Sequence, residues 1–198
     1  MGAVMIYTLL ADDMAMRPEK IIRANDATYP ERLHQRLGAL APEKLTLCGN
    51  PEILSLPRTA IFCSVRCPSH VIFSAYDQAA RWRDAGRCII SGFHSPVEKE
   101  CLRILLRGVS PVIVCPARTL PERLPPAWRK PLDAGRLLIL SAFKGTAKRV
   151  TTRLAAQRNE FVAALADEVI LAHATAGGRL EELTARLRPW KVPLITLP

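Results

Sequence analysis

Residues 59–65 read Thr59-Ala60-Ile61-Phe62-Cys63-Ser64-Val65, a run with no polar interruption from Ala60 to Cys63. A strand with one wet face alternates apolar and polar residues. An unbroken run of this length fits a strand covered on both faces. Runs of the same β-rich character recur at 87–91, 111–115, 136–141, 168–173 and 192–197. Helix-like stretches at 71–85, 96–107, 126–134, 147–165 and 180–187 separate them. In 96–107, for instance, Val97, Cys101, Ile104 and Leu105 recur at helical spacing. Strand alternating with helix predicts an α/β, three-layer architecture with a mostly parallel sheet. Residues 1–57 are expected to form a small, helical and partly irregular N-terminal extension. It would hold a helix near 29–40 and then a loop through Cys48-Gly49-Asn50. Residues 58–198 are expected to form the sheet domain.

The composition narrows the class. The chain has 198 residues, of which 49% are apolar and 23% charged, enough to bury a core. No apolar run reaches the roughly 20 residues of a membrane helix. Met1 to Leu10 is apolar but lacks a basic lead-in and is followed by Asp12-Asp13, so it reads as a poorly packed or strand-forming extension, not a signal peptide. The six cysteines (48, 63, 67, 88, 101, 115) show no C-x-x-C pair. Buried reduced thiols fit them better than a disulfide framework or a metal site, which points to a cytoplasmic protein. Cys63-x3-Cys67 has only His70 nearby as a further ligand.

The net charge of +10 is local. Residues 103–158 hold twelve basic side chains and two acidic ones (Glu122 and Asp133), while the flanks nearly balance. Of the 28 basic residues, 21 are Arg, whose planar fork suits phosphate oxygens. A solvated surface explains abundant Arg but not so local a shortage of acids, so a polyanionic partner is expected.

In an open parallel sheet, ligands gather beyond the carboxyl ends of the strands. Those ends carry Ser64, Arg66 and Ser69; Ser91, Gly92, Phe93, His94 and Ser95; Arg118; Ser141, Phe143 and Lys144; then His173, Thr175, Gly177 and Gly178. Hydroxyl, small and basic residues dominate, which is an anion-receiving edge. No G-x-G-x-x-G follows the first run, which argues against a dinucleotide dehydrogenase. No Ser-His-Asp array or metal cluster is visible, so no catalytic residue, metal or cofactor is assigned.

Taken in order, the motifs resemble the DNA-processing protein A (DprA/Smf) family from about Thr28 to Leu197. Tyr29-Pro30-x-x-Leu33 and Leu45-x-x-Cys48-Gly49-Asn50 are similar to its Y-P-x-x-L and L-x-x-x-G-N elements. Ser64-Val65-Arg66 and Ser69 stand near its G-S-R and following serine. Ser91-Gly92-Phe93 stands for S-G-L/M, and Arg158-Asn159 begins its R-N-R box. Departures are Ser64 for the glycine of G-S-R, Pro96-Val97-Glu98 for G-I-D, and Glu160 as the third residue of R-N-R. The expectation is a short, divergent member of the family without a C-terminal winged-helix module.

The resemblance implies a Rossmann-like sheet with a basic groove for single-stranded DNA. It also implies a homodimer, a RecA-type recombinase as partner, and a role in recombination or natural transformation, away from membranes. Arg66, Ser69, Ser91, Gly92, Arg158 and Asn159 would then grip phosphates, joined by Gly177 and Gly178. Arg118, Arg123, Arg129, Lys144, Lys148 and Arg149 would extend the track, and Phe93 or Phe143 would stack on bases. Two alternatives stay open. Ala176-Gly177-Gly178 with Glu181 or Glu182 echoes the P-G-G-x-G-T-x-x-E box of LOG-like phosphoribohydrolases, and a nucleotide-sensing domain would use the same edge.

Overall fold

The computed structural model describes residues 19–144 and 150–198. The apolar segment Met1 to Leu10 and the pair Lys148 and Arg149 lie outside the described residues. Among these residues eight strands form one sheet: β1 (Lys20–Arg23), β2 (Lys44–Gly49), β3 (Arg58–Cys63), β4 (Cys88–Ser91), β5 (Val112–Val114), β6 (Leu137–Ser141), β7 (Glu168–His173) and β8 (Leu194–Thr196). Their spatial order is β1-β2-β6-β5-β4-β3-β7-β8. The six strands from β6 to β8 run parallel, while β1 and β2 add an antiparallel edge. The fold is α/β and Rossmann-like, as the alternating runs required.

Among the described residues, six helices cover the sheet: α1 (Glu31–Leu37), α2 (Ser69–Asp84), α3 (Pro96–Leu105), α4 (Pro126–Asp133), α5 (Thr152–Leu165) and α6 (Arg179–Leu187). The period of two in a strand sorts the core into two layers. Ala60 and Phe62 of β3, with Leu138 and Leu140 of β6, pack under α1, α5 and α6. Ile61 and Cys63, with Leu137 and Ile139, pack under α2, α3 and α4. Both neighbours of each pair are apolar because both faces are covered. Helix α2 buries Val71, Ala75, Ala79 and Trp82, the stripe its spacing offers. Among the described residues, no helix is long and apolar enough to cross a membrane.

Residues 44–49 correct the expected loop at Cys48-Gly49. Cys48 pairs with Ile139 and Gly49 with Leu138 in an antiparallel ladder. Gly49 looked like a turn signal, but it sits at φ 110° where a Cβ would overlap the Leu137 carbonyl oxygen. The helix expected over 29–40 forms only as α1 plus a 3-10 turn at Gly38–Leu40. Leu33 of α1 is fully buried, and the Tyr29 hydroxyl donates to the Pro42 carbonyl at 2.6 Å. Residues 20–57 therefore contribute two strands and a helix to the sheet and core shared with residues 58–198.

Candidate functional site

Chain order fixes where the sheet opens. From β3 the chain winds outward through β4, β5 and β6, then returns to place β7 and β8 on the other side of β3. The crevice between the β3 and β7 loops is thus the topological switch point. Two hydrogen bonds tie these loops together. Ser64 N–H donates to the His173 carbonyl at 2.9 Å, and Thr175 N–H donates to Ser64 Oγ at 3.1 Å. Arg66 lies in the β3 loop and is exposed, with no ion pair among the described residues. Ser69, also exposed, opens α2. Pro68 at the cap of α2 has no side-chain oxygen to offer, so no side chain caps the helix.

The β7 loop mirrors this arrangement. Gly178 caps α6 without a side-chain acceptor, and a Cβ there would lie 2.7 Å from the Thr175 carbonyl oxygen. Gly177 adopts φ 67°, and its N–H donates to Glu181 Oε2 at 2.6 Å. The carboxylate that echoes the phosphoribohydrolase box is therefore folded back onto its own loop.

The β4 turn is built differently. Glu98 is buried, and its Oε1 accepts Cys63 N–H at 2.9 Å while Oε2 accepts His94 N–H at 2.8 Å. Ser95 Oγ accepts Glu98 N–H at 3.2 Å, so Ser95-Pro96-Val97-Glu98 is a variant of the helix-start box. Backbone donors that a bound anion would use are already satisfied by this carboxylate. Ser91 is fully buried, and its hydroxyl donates to the Ile61 carbonyl at 2.8 Å. Phe93 is 5% exposed at φ 47°, with its ring in the core beside α2 and α3. Phe93 was expected to stack on bases; the structure withdraws it from the surface.

Arg158 joins the same turn from α5. A Cβ at Gly92 would coincide with its guanidinium, so only glycine permits the packing. Arg158 is 4% exposed, and its Nη1 donates to the Cys115 carbonyl at 3.2 Å. Its Nε donates to Asn159 Oδ1 at 2.8 Å. Burial lowers the guanidinium pKa from its ordinary value, and the nearby Glu98 charge opposes that. The structure thus brings Ser91, Gly92, Arg158 and Asn159 together, as a network that satisfies itself. Glu98, its hub, was missed; the S-x-x-E spacing was the signal that could have found it.

The basic stretch 103–158 divides between the two rims of the sheet. Arg103 pairs with Glu100, and Arg136 donates to the Leu106 carbonyl, both at the end opposite Arg66. Arg118 and Arg123 are exposed at the carboxyl rim, beside a cavity of about 160 Å³ lined by Val114, Pro116, Trp128 and Ile139. Lys144 is on that rim too, but its Nζ lies 2.6 Å from Glu43 Oε2. Phe143 is half-buried. Glu160, in the third place of the R-N-R box, forms an ion pair with Arg186 at 3.0 Å.

A model of the DNA recombination-mediator protein A family matches residues 20–185, from β1 to within α6. The chain belongs to this family. Two family structures show the same fold. The DNA processing protein A of Streptococcus pneumoniae matches with a TM-score of 0.75 at 20% identity, over 97% of this chain and 66% of that one. The chain therefore spans just under two thirds of that protein. The Helicobacter pylori protein, studied for its single-stranded DNA binding mode, matches with a TM-score of 0.70 at 20% identity. That match covers 91% of this chain and 80% of the other. No protein of curated function matches the sequence.

Proposed function

We propose that the chain binds single-stranded DNA at the switch-point crevice and serves DNA processing or recombination, holding phosphates without transforming them. The observation that carries this reading is a contrast among helix starts. Ser95 caps α3 and Thr151 caps α5, whereas α1, α2, α4 and α6 have no side-chain cap, and of these α2 and α6 flank the crevice. Their free N–H groups and positive dipole ends suit an anion. Arg66, in the loop that leads from β3 into α2, is exposed with no described carboxylate to neutralise it. Ser69 supplies a hydroxyl at the same helix start, and Gly177 and Gly178 keep the β7 loop low enough for a backbone to approach.

Arg118 and Arg123 extend positive charge along the rim toward β5. Arg158 and Asn159 act one layer deeper, shaping the β4 turn that the strand would cross. Family membership supports single-stranded DNA as the polyanion, since exposed arginines, a hydroxyl and uncapped helix starts suit phosphate and offer no base-specific contact. The decisive experiment is a salt titration of single-stranded oligonucleotide binding with the wild type and Arg66→Ala. Affinity is expected to fall with log salt at about −0.7 per phosphate neutralised, and the variant is expected to lose about one such contact. A flat salt response, or an unchanged variant, defeats the assignment.

A further inference from the structure

Beyond the ends of β5 and β6, the carboxyl rim holds the cavity of about 160 Å³ beside Arg118 and Arg123. Val114 and Ile139, both buried, form its floor, and the half-buried Trp128 of α4 lines it. Pro116, Pro121 and Pro125 supply walls that carry no N–H, and their fixed φ stiffens the loop. That loop is also tied down at its base. Ser141 Oγ donates to the Arg118 carbonyl at 2.7 Å, and Arg158 donates at 3.2 Å to the carbonyl of Cys115, immediately before Pro116. The cavity is thus built into the fold, largely apolar within and lined by no carboxylate.

We propose that this cavity receives one pyrimidine base of the bound strand, its ring against Trp128, with Arg118 and Arg123 on the phosphates that flank it. The proposal rests on the reading of this rim as a DNA site given above and adds the base that the rim selects. Size chooses the occupant first. An apolar cavity of about 150 Å³ holds one benzene ring. The cavity beside Trp128 therefore accommodates a six-membered base and is short of room for the fused rings of a purine.

Charge chooses second. Arg118 and Arg123 are exposed with no ion pair among the described residues. Glu122 is the one carboxylate between Pro116 and Pro126, and it does not line the cavity. An apolar slot with guanidinium groups at its mouth suits a group that is flat in the middle and anionic on either side, which is a nucleotide within a strand. The Trp128 indole N–H has no acceptor among the described residues, which leaves that donor open to an oxygen of the strand. From the β3–β7 crevice to the β5–β6 cavity is three strand spacings, about 14 Å, so one strand laid along the rim meets both.

The test measures the wild type and Trp128→Ala against strands of equal length, namely oligo-dT, oligo-dA and an abasic strand with the same phosphates, each in a salt series. Wild type is expected to bind oligo-dT about tenfold more tightly than either of the others, the scale of one base stacked on one aromatic ring. Trp128→Ala is expected to bind all three alike, with the salt slope of the wild type. Because Trp128 also packs on the core, a strand carrying iodouracil is irradiated on the wild-type protein, and the cross-link is expected on Trp128. Equal affinity of the wild type for oligo-dT and oligo-dA overturns the proposal, as does a dT preference that survives in Trp128→Ala or a cross-link found elsewhere. In each of those cases salt-dependent binding leaves the phosphate reading standing. No affinity for any strand defeats that reading and the base site with it.

Discussion

The two rims of this sheet use arginine in opposite ways. At the amino rim several guanidinium groups are committed. Arg32 and Arg58 share Asp167, Arg36 donates to the carbonyls of Ala163, Ala164 and Ala166 at the end of α5, and Arg87 pairs with Glu168. At the carboxyl rim, Arg66, Arg118 and Arg123 are exposed with no ion pair among the described residues. Between these extremes sits Arg158, on the carboxyl rim yet buried and committed. Arginine content thus says little about binding; what each guanidinium already holds says more. A buried, bonded guanidinium contributes to the fold, whereas an exposed, unpaired one can exchange water and counterions for a phosphate.

The strongest way to break this comparison is Gly92→Ala. The new Cβ would occupy the place of the Arg158 guanidinium and force it off the turn. A loss of about 3 kcal/mol is expected in urea unfolding, the scale of overpacking combined with a disrupted buried charge. A loss under about 1 kcal/mol would show that Arg158 is not held as described.

Asp167→Ala probes the amino rim. Arg58, only 7% exposed, would be left without its carboxylate, at a cost of about 3 kcal/mol. Single-stranded DNA affinity should stay within about twofold, since this rim takes no phosphate in the proposed binding. A large loss of affinity in a folded Asp167→Ala protein would erase the distinction between the rims.

Arg66→Ala is the converse experiment. Stability should change by no more than about 0.5 kcal/mol. DNA affinity should fall about tenfold, as expected for one charge-assisted contact.

A pH series sharpens the amino rim further. Burial raises the Asp167 pKa, but the Arg58 N–H and the Arg32 guanidinium outweigh it and hold the carboxyl below its ordinary value. A carboxylate depressed in the folded state stabilises fully above its unfolded pKa of about 3.9. That contribution is lost as pH falls through the folded value. Wild type should therefore keep a constant gap over Asp167→Ala down to about pH 4 and converge on it only below that, and a gap that stays constant well below pH 4 would contradict the pairing. The smallest effect belongs to Arg103→Ala, whose exposed pair with Glu100 should contribute no more than about 0.5 kcal/mol.

Much of the fold was legible because strands buried on two faces leave continuous apolar runs. The expected run at 168–173 coincides with β7, and those at 87–91 and 136–141 begin one residue before β4 and β6. Strand β2 was not legible. It mixes buried and half-buried residues, with Leu47 and Cys48 buried in succession, and the glycine at its end reads locally as a turn. The rim was legible as a list of residues beyond strand ends, and of its candidates Arg66 and Ser69 are exposed. The roles of Ser91, Gly92, Phe93 and Lys144 were not, because burial and pairing decide them. Lys144 finds Glu43 across 101 residues, and no local pattern announces that pair.

The sequence alone determined the layered α/β architecture, the placement of loops at one sheet edge and the excess of arginine, because periodicity and composition are local properties of the chain. Tertiary structure alone decided which arginines are spent. Asp167 meets the Arg58 amide across 109 residues, and Arg158 meets the Cys115 carbonyl across 43. Such partners are chosen by the winding of the sheet, and electrostatic energy depends on their separation in space and their access to water, neither of which the order of residues displays.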